Sequence, residues 1–150
     1  MIFNRQQVSS EVLAVSKNIM NEVMCLAEDL VLHIDYQDTD SMHIEENDIK
    51  ILAHEYHQKY NRDLIGKDMG QFHSDFDSDI IKRDIHAVES IFLGKKCYLD
   101  VLQGFDESDN VVRDLHIRMK GVSSDAIFHK ANPDNSKTRD ETIDAVIDIY

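Results

Sequence analysis

Apolar residues at Val12, Val15, Ile19, Val23, Leu26 and Leu30 recur at steps of three and four, which lines one face of a helix. Ser9 and Ser10 stand just ahead of that series and predict its cap. The period then changes. Leu32, Ile34 and Tyr36 alternate with His33 and Asp35, the spacing of a strand with one buried face. The alternation breaks at Gln37-Asp38-Thr39-Asp40-Ser41 and resumes at Met42 and Ile44, so residues 31–46 predict a hairpin with acids at its tip. Asn47 is suited to cap a second helix that turns Ile49, Leu52 and Tyr56 inward and ends near Asn61.

Further along, Gly66, Gly70 and the acidic run at 75–79 predict loop and short strand. β-Branched and aromatic residues return from Ala87 to Val101 and again from Val111 to Val122, across the polar turn 104–110. This pattern predicts a second hairpin. Pro133 lies in a polar connector between a short helix near 123–131 and a last apolar stretch at 142–150. The expectation is an α+β fold: an antiparallel sheet of two β-hairpins, the long N-terminal helix packed across it, and a short helical tail.

Composition narrows the class. A chain of 150 residues with 42% hydrophobic and 30% charged residues suits one compact unit or a piece of a larger chain. No apolar run approaches a membrane span and the start lacks the order of a signal peptide, which predicts a soluble, intracellular protein with no membrane partner. Cys25 and Cys97 form neither a C-x-x-C site nor a disulfide framework. The net charge of −13 argues against a wholly phosphate-binding surface, but the charge is uneven. Residues 82–120 hold seven of the 16 cations and seven of the 29 carboxylates, leaving nine cations against 22 acids elsewhere. Any polyanion contact should therefore fall in the central stretch.

Asp38 and Asp40 are the residues best placed for chemistry. At i and i+2 in extended backbone they would point to one side and could share a hard divalent ion. A calcium loop starting at Asp38 fails, with Met42 at position five, His43 at the glycine position and Ile49 at the glutamate position. Other patterns carry less. His54 and His57 do not make the H-E-x-x-H zinc motif, and Gly66-Lys67 lacks the rest of a phosphate-binding P-loop. Asp75, Asp77 and Asp79 read as a solvated loop, and Met20, Met24 and Cys25 as core filler on the first helix.

Tyr36-Gln37-Asp38-Thr39-Asp40-Ser41 resembles the Y-x-D-T-D-S signature of family B DNA polymerases. Three further stretches follow in the family's order. Gly66-Lys67-Asp68-Met69-Gly70-Gln71-Phe72 resembles its glycine-containing strand, Gly94-Lys95-Lys96-Cys97-Tyr98 its K-x-Y element, and Arg118-Met119-Lys120-Gly121-Val122 its basic K-G-[IV] segment. The resemblance runs from about Val8 to Val122 and is nearest to the organellar and viral, often protein-primed, branch.

It implies a palm-type sheet, with residues 1–122 as part of a palm and 123–150 as the start of a thumb or a helical tail. It also implies template-directed nucleotidyl transfer to a primer 3′-hydroxyl, with two Mg²⁺ ions, or Mn²⁺ in their place. Asp38 and Asp40 would be catalytic and metal-binding, Asp40 the more direct ligand, while Tyr36, Thr39 and Ser41 support the turn. Lys95, Lys96, Tyr98 and Lys120 would contact the primer strand, with Lys96 and Tyr98 on one face of a strand and Cys97 behind. Partners would be primer–template DNA, a deoxynucleoside triphosphate and, in that branch, a terminal protein primer. The family's D-x-x-S-x-Y-P and K-x-x-x-N-S-x-Y-G elements are missing from these 150 residues. The chain alone is therefore expected not to polymerise DNA, and an acidic, free-standing remnant that binds a protein is the alternative.

Overall fold

A computed structural model describes residues 5–150, with side chains from Ala14 onward. The fold is α+β, with four helices and two antiparallel sheets among the described residues. It divides into two compact units, one up to Ser74 and the other Asp75–Tyr150.

In the first unit, helix α1 (Arg5–Asp29) is followed by strands β1 (Ile34–Gln37) and β2 (Met42–Ile44) and helix α2 (Glu46–Tyr60). The helix is already under way at Ser9 and Ser10, so the expected cap there is not one; serine is tolerated inside a long helix. Ile19, Val23 and Leu26 of the predicted stripe are buried with Ala27, Leu52, Tyr56 and Leu64, and Ile34, Met42 and Ile44 pack against them. Val12 lies outside the described side chains, and Val15 is 57% exposed because it precedes the part of α1 that the hairpin and α2 cover. Met20 is core, whereas Met24 and Cys25 are exposed, one helical step off the buried stripe. Glu45, not Asn47, occupies the N-cap of α2, and Asn61 closes it in the left-handed conformation with φ 51°.

Glu22 on α1 fastens α2. One of its carboxylate oxygens accepts from Arg62 Nη2 at 2.6 Å and from Tyr56 Oη at 2.8 Å. Burial, then the hydrogen bond to Glu22 and its negative charge, push the Tyr56 phenol up to about 12.

The second unit is a three-stranded meander of β3 (Arg83–Gly94), β4 (Cys97–Phe105) and β5 (Val111–Met119), followed by α3 (Ser124–Ala131) and α4 (Arg139–Ile149). The expected second hairpin is thus three strands, because Gly94 pairs with Cys97 across a two-residue turn of Lys95 and Lys96. The two hairpins also lie in separate sheets of two and three strands, not in one. Each sheet has its own helices to bury it: α1 and α2 serve the first, α3 and α4 the second.

One face of the meander is apolar. Leu99 is fully buried there among Ile127, Ala131 and Val146, with Ile91, Leu115 and Ile117 around them. Ser123 caps α3, and Thr138 with Glu141 forms a capping box on α4. Arg113 of β5 holds α4 through Asp140 at 3.2 Å and Asp144 at 3.0 Å.

The other face is covered by the segment 75–82. Phe76 packs edge-on against His116 at 5.6 Å, Ser78 hydrogen-bonds Asp114, and the Lys82 amide donates to the Phe105 carbonyl at 2.8 Å. Gly104 allows the closest approach, since a Cβ there would sit 2.3 Å from Ile81 Cγ2 and 2.6 Å from the Arg83 carbonyl oxygen.

Candidate nucleic-acid interface and carboxylate turn

The Asp-Thr-Asp sequence forms the tip of the β1–β2 hairpin. Tyr36 pairs with His43 and Gln37 with Met42, after a bulge between Ile34 and Tyr36. The bulge changes the register, so that Ile34 stands opposite Ile44 but Tyr36 opposite His43. Ile34, Met42 and Ile44 turn to the core, while the Tyr36 ring meets His43 edge-on at 5.6 Å.

The turn is closed by the Asp38 amide, which donates to the Ser41 carbonyl at 2.9 Å. Asp38 Oδ1 accepts from the Thr39 amide at 2.8 Å and from Thr39 Oγ1 at 3.3 Å. This is the local bond by which aspartate stabilises turns. Asp38 is half-buried at the end of β1, and Thr39 and Asp40 form an exposed bend. The two carboxylates therefore sit on a bend instead of the extended backbone that the i, i+2 spacing predicts. Thr39 supports the turn through Asp38, and Ser41 through its backbone carbonyl.

As hard oxygen donors on one short turn, Asp38 and Asp40 suit Mg²⁺ better than zinc or a soft metal. Among the described residues no group of three or more His, Cys, Asp and Glu side chains gathers to hold a metal.

In the second unit the sheet collects cations at one end. Lys95 and Lys96 form the β3–β4 turn, with Lys96 in the left-handed region at φ 59°. Both are exposed. Because Lys96 belongs to the turn, it does not share a strand face with Tyr98, contrary to the expectation from spacing. The register brings other partners instead. Cys97 pairs with Met119 and Tyr98 with Arg118, and the Lys120 amide donates to the Lys96 carbonyl at 3.3 Å. Lys95, Lys96, Lys120, Arg118 and Tyr98 thus share one end of the meander. Tyr98 is 8% exposed and lies near the Phe92 and His116 rings, at 6.1 and 6.2 Å.

Behind Tyr98 runs a polar row one residue wide. Ser90, Asp100 and His116 are direct cross-strand partners on β3, β4 and β5. Asp100 is fully buried and accepts from Ser90 Oγ at 2.6 Å, while its other oxygen is 3.0 Å from His116 Nδ1. His116 Nε2 is buried without a hydrogen-bond partner among the described residues. A carboxylate can only accept, so His116 Nδ1 is the donor of its bond to Asp100.

Sequence spacing missed this row, and it missed Arg118 as a neighbour of Tyr98. The signal lay in the loops: pairing Phe105 with Val111 and counting back fixes both pairings. Comparison of the chain with family models, curated proteins and solved structures finds no match in any of the three. No described helix is long and apolar enough to cross a membrane.

Proposed function

We propose that this chain is part of the palm of a DNA-directed DNA polymerase of the family B type, carrying a carboxylate pair for nucleotidyl transfer and a basic strand end for the primer–template. The observation that supports it most is the gathering of Lys95, Lys96, Lys120 and Arg118 beside Tyr98, in a chain of net charge −13. Lysines and arginine at such an end suit phosphate contacts that position a strand without reading its sequence.

Asp40, exposed at the bend, and Asp38, at the strand end, would hold Mg²⁺ together with ligands from outside the described residues. When bound, the metal lowers the pKa of the primer hydroxyl and neutralises charge on the triphosphate. The chain's own contribution is to fix the two carboxylates. The Asp38–Thr39 bonds hold the turn, and the core packing of Ile34, Met42 and Ile44 holds the hairpin.

The acidic balance favours a second reading, a polymerase-derived module that binds a protein partner. Asp40→Asn, placed in a complete polymerase chain containing this segment, separates the two. The polymerase reading expects loss of magnesium-dependent primer extension with primer–template binding retained; unchanged extension rejects the metal role of the turn.

A further inference from the structure

The segment that crosses the polar face of the meander begins with an acid seated on one of the cations just described. Asp75 Oδ2 lies 3.0 Å from Arg118 Nη2, and both side chains remain more than half exposed. Arg118 is the direct cross-strand partner of Tyr98. The segment is anchored unevenly. Its later half is fixed by Ser78, which bonds Asp114 and accepts from the Ile80 and Ile81 amides at 3.2 Å, and by Ile81 packed at Gly104. Asp75 is the outermost of the segment's attachments to the sheet, and it precedes Phe76, whose ring rests on His116.

We infer that Asp75 occupies the phosphate position of Arg118, so that the segment 75–82 is a built-in competitor that nucleic acid must displace at its Asp75 end. This rests on the reading of the sheet end as a nucleic-acid interface. An exposed ion pair adds little to stability, so exchanging a carboxylate for a phosphate at Arg118 costs little. The guanidinium fork donates to either anion with the same geometry. Asp77 and Asp79 are exposed on the same segment and have no ion pair with a described cation, so they carry equal charge without covering Arg118.

The test is the salt dependence of binding between the full chain and a fluorescein-labelled primer–template duplex, for the wild type, Asp75→Asn, Asp77→Asn and Arg118→Ala. Asp75→Asn should tighten binding several-fold at a nearly unchanged slope of log K against log salt, whereas Arg118→Ala should weaken binding and make the slope shallower by about 0.9, the value of one phosphate no longer neutralised on duplex DNA. Asp77→Asn should leave the affinity close to that of the wild type. The tightening should vanish in Asp75→Asn/Arg118→Ala. Equal gains from Asp75→Asn and Asp77→Asn would mean bulk charge alone and would overturn the inference. So would an unchanged Asp75→Asn alongside weaker binding by Arg118→Ala, which leaves the interface reading standing and shows that Arg118 is already engaged. If neither wild type nor Asp75→Asn binds the duplex, the interface reading itself fails and the inference with it.

Discussion

The backbone amide of Lys120 donates to the carbonyl of Lys96, 24 residues earlier, and so brings the basic segment after β5 against the lysine turn before β4. Two motifs that are far apart in sequence become one end of one sheet. Lys96 is in the left-handed conformation there, a strain of the kind that non-glycine residues adopt in tight turns. The cationic end is therefore a consequence of strand register, and changes that disturb the register should disturb it.

The Ser90–Asp100–His116 row lies at the centre of that register. Asp100→Ala leaves the Ser90 hydroxyl and the His116 Nδ1–H without their buried acceptor and should destabilise the C-terminal unit by about 3 kcal/mol. Ser90→Ala removes one neutral donor and should cost about 1 kcal/mol. Urea denaturation of both variants checks the order, and equal destabilisation would mean that Asp100 is not the hub of the row.

Gly104 gives a steric test of the crossing segment. Gly104→Ala drives a methyl group into Ile81 and the Arg83 carbonyl, and should cost about 2 kcal/mol while loosening residues 75–82. Hydrogen exchange at the Lys82 amide, which is bonded to Phe105 in the wild type, reads the loosening directly.

High pH should act on the first unit through Tyr56. Its phenol is held protonated up to about 12, above the ordinary value of 10.0. A pKa raised on folding stabilises fully below the unfolded value, and that stabilisation disappears as pH rises through the folded one. Stability of the N-terminal unit should therefore fall between about pH 10 and pH 12, with tyrosinate absorbance rising in step. Tyr56→Phe should remove that pH dependence and, by releasing the bond to Glu22, lower stability at neutral pH by about 1 kcal/mol.

Much of the fold was legible where one residue type decides locally. The stripe of Ile19, Val23 and Leu26, the alternation around Ile34, and the polar connector at Pro133 each announce their element and agree with the structure. The turn at Lys95 and Lys96 did not announce itself, because lysine carries no turn signature and the left-handed φ of Lys96 is imposed by the pairing of Gly94 with Cys97. The caps at Ser9–Ser10 and Asn47 were misplaced because serine and asparagine also occur inside helices, at a modest cost. For the site, the residues of the carboxylate turn could be named from the sequence, but their bend could not. The Asp75–Arg118 pair spans 43 residues and the Asp100–His116 pair 16, and only the folded register brings either together.

The most direct test of the nucleic-acid reading is a titration of labelled primer–template duplex with the wild-type chain and with Lys95→Ala/Lys96→Ala/Lys120→Ala, across a range of salt. All three lysines are exposed, so the variant should keep its fold by circular dichroism. The variant should bind more weakly, with a salt slope shallower by about 0.9 for each phosphate that the removed lysines had neutralised. Equal affinities and equal slopes for the two proteins would contradict the nucleic-acid reading.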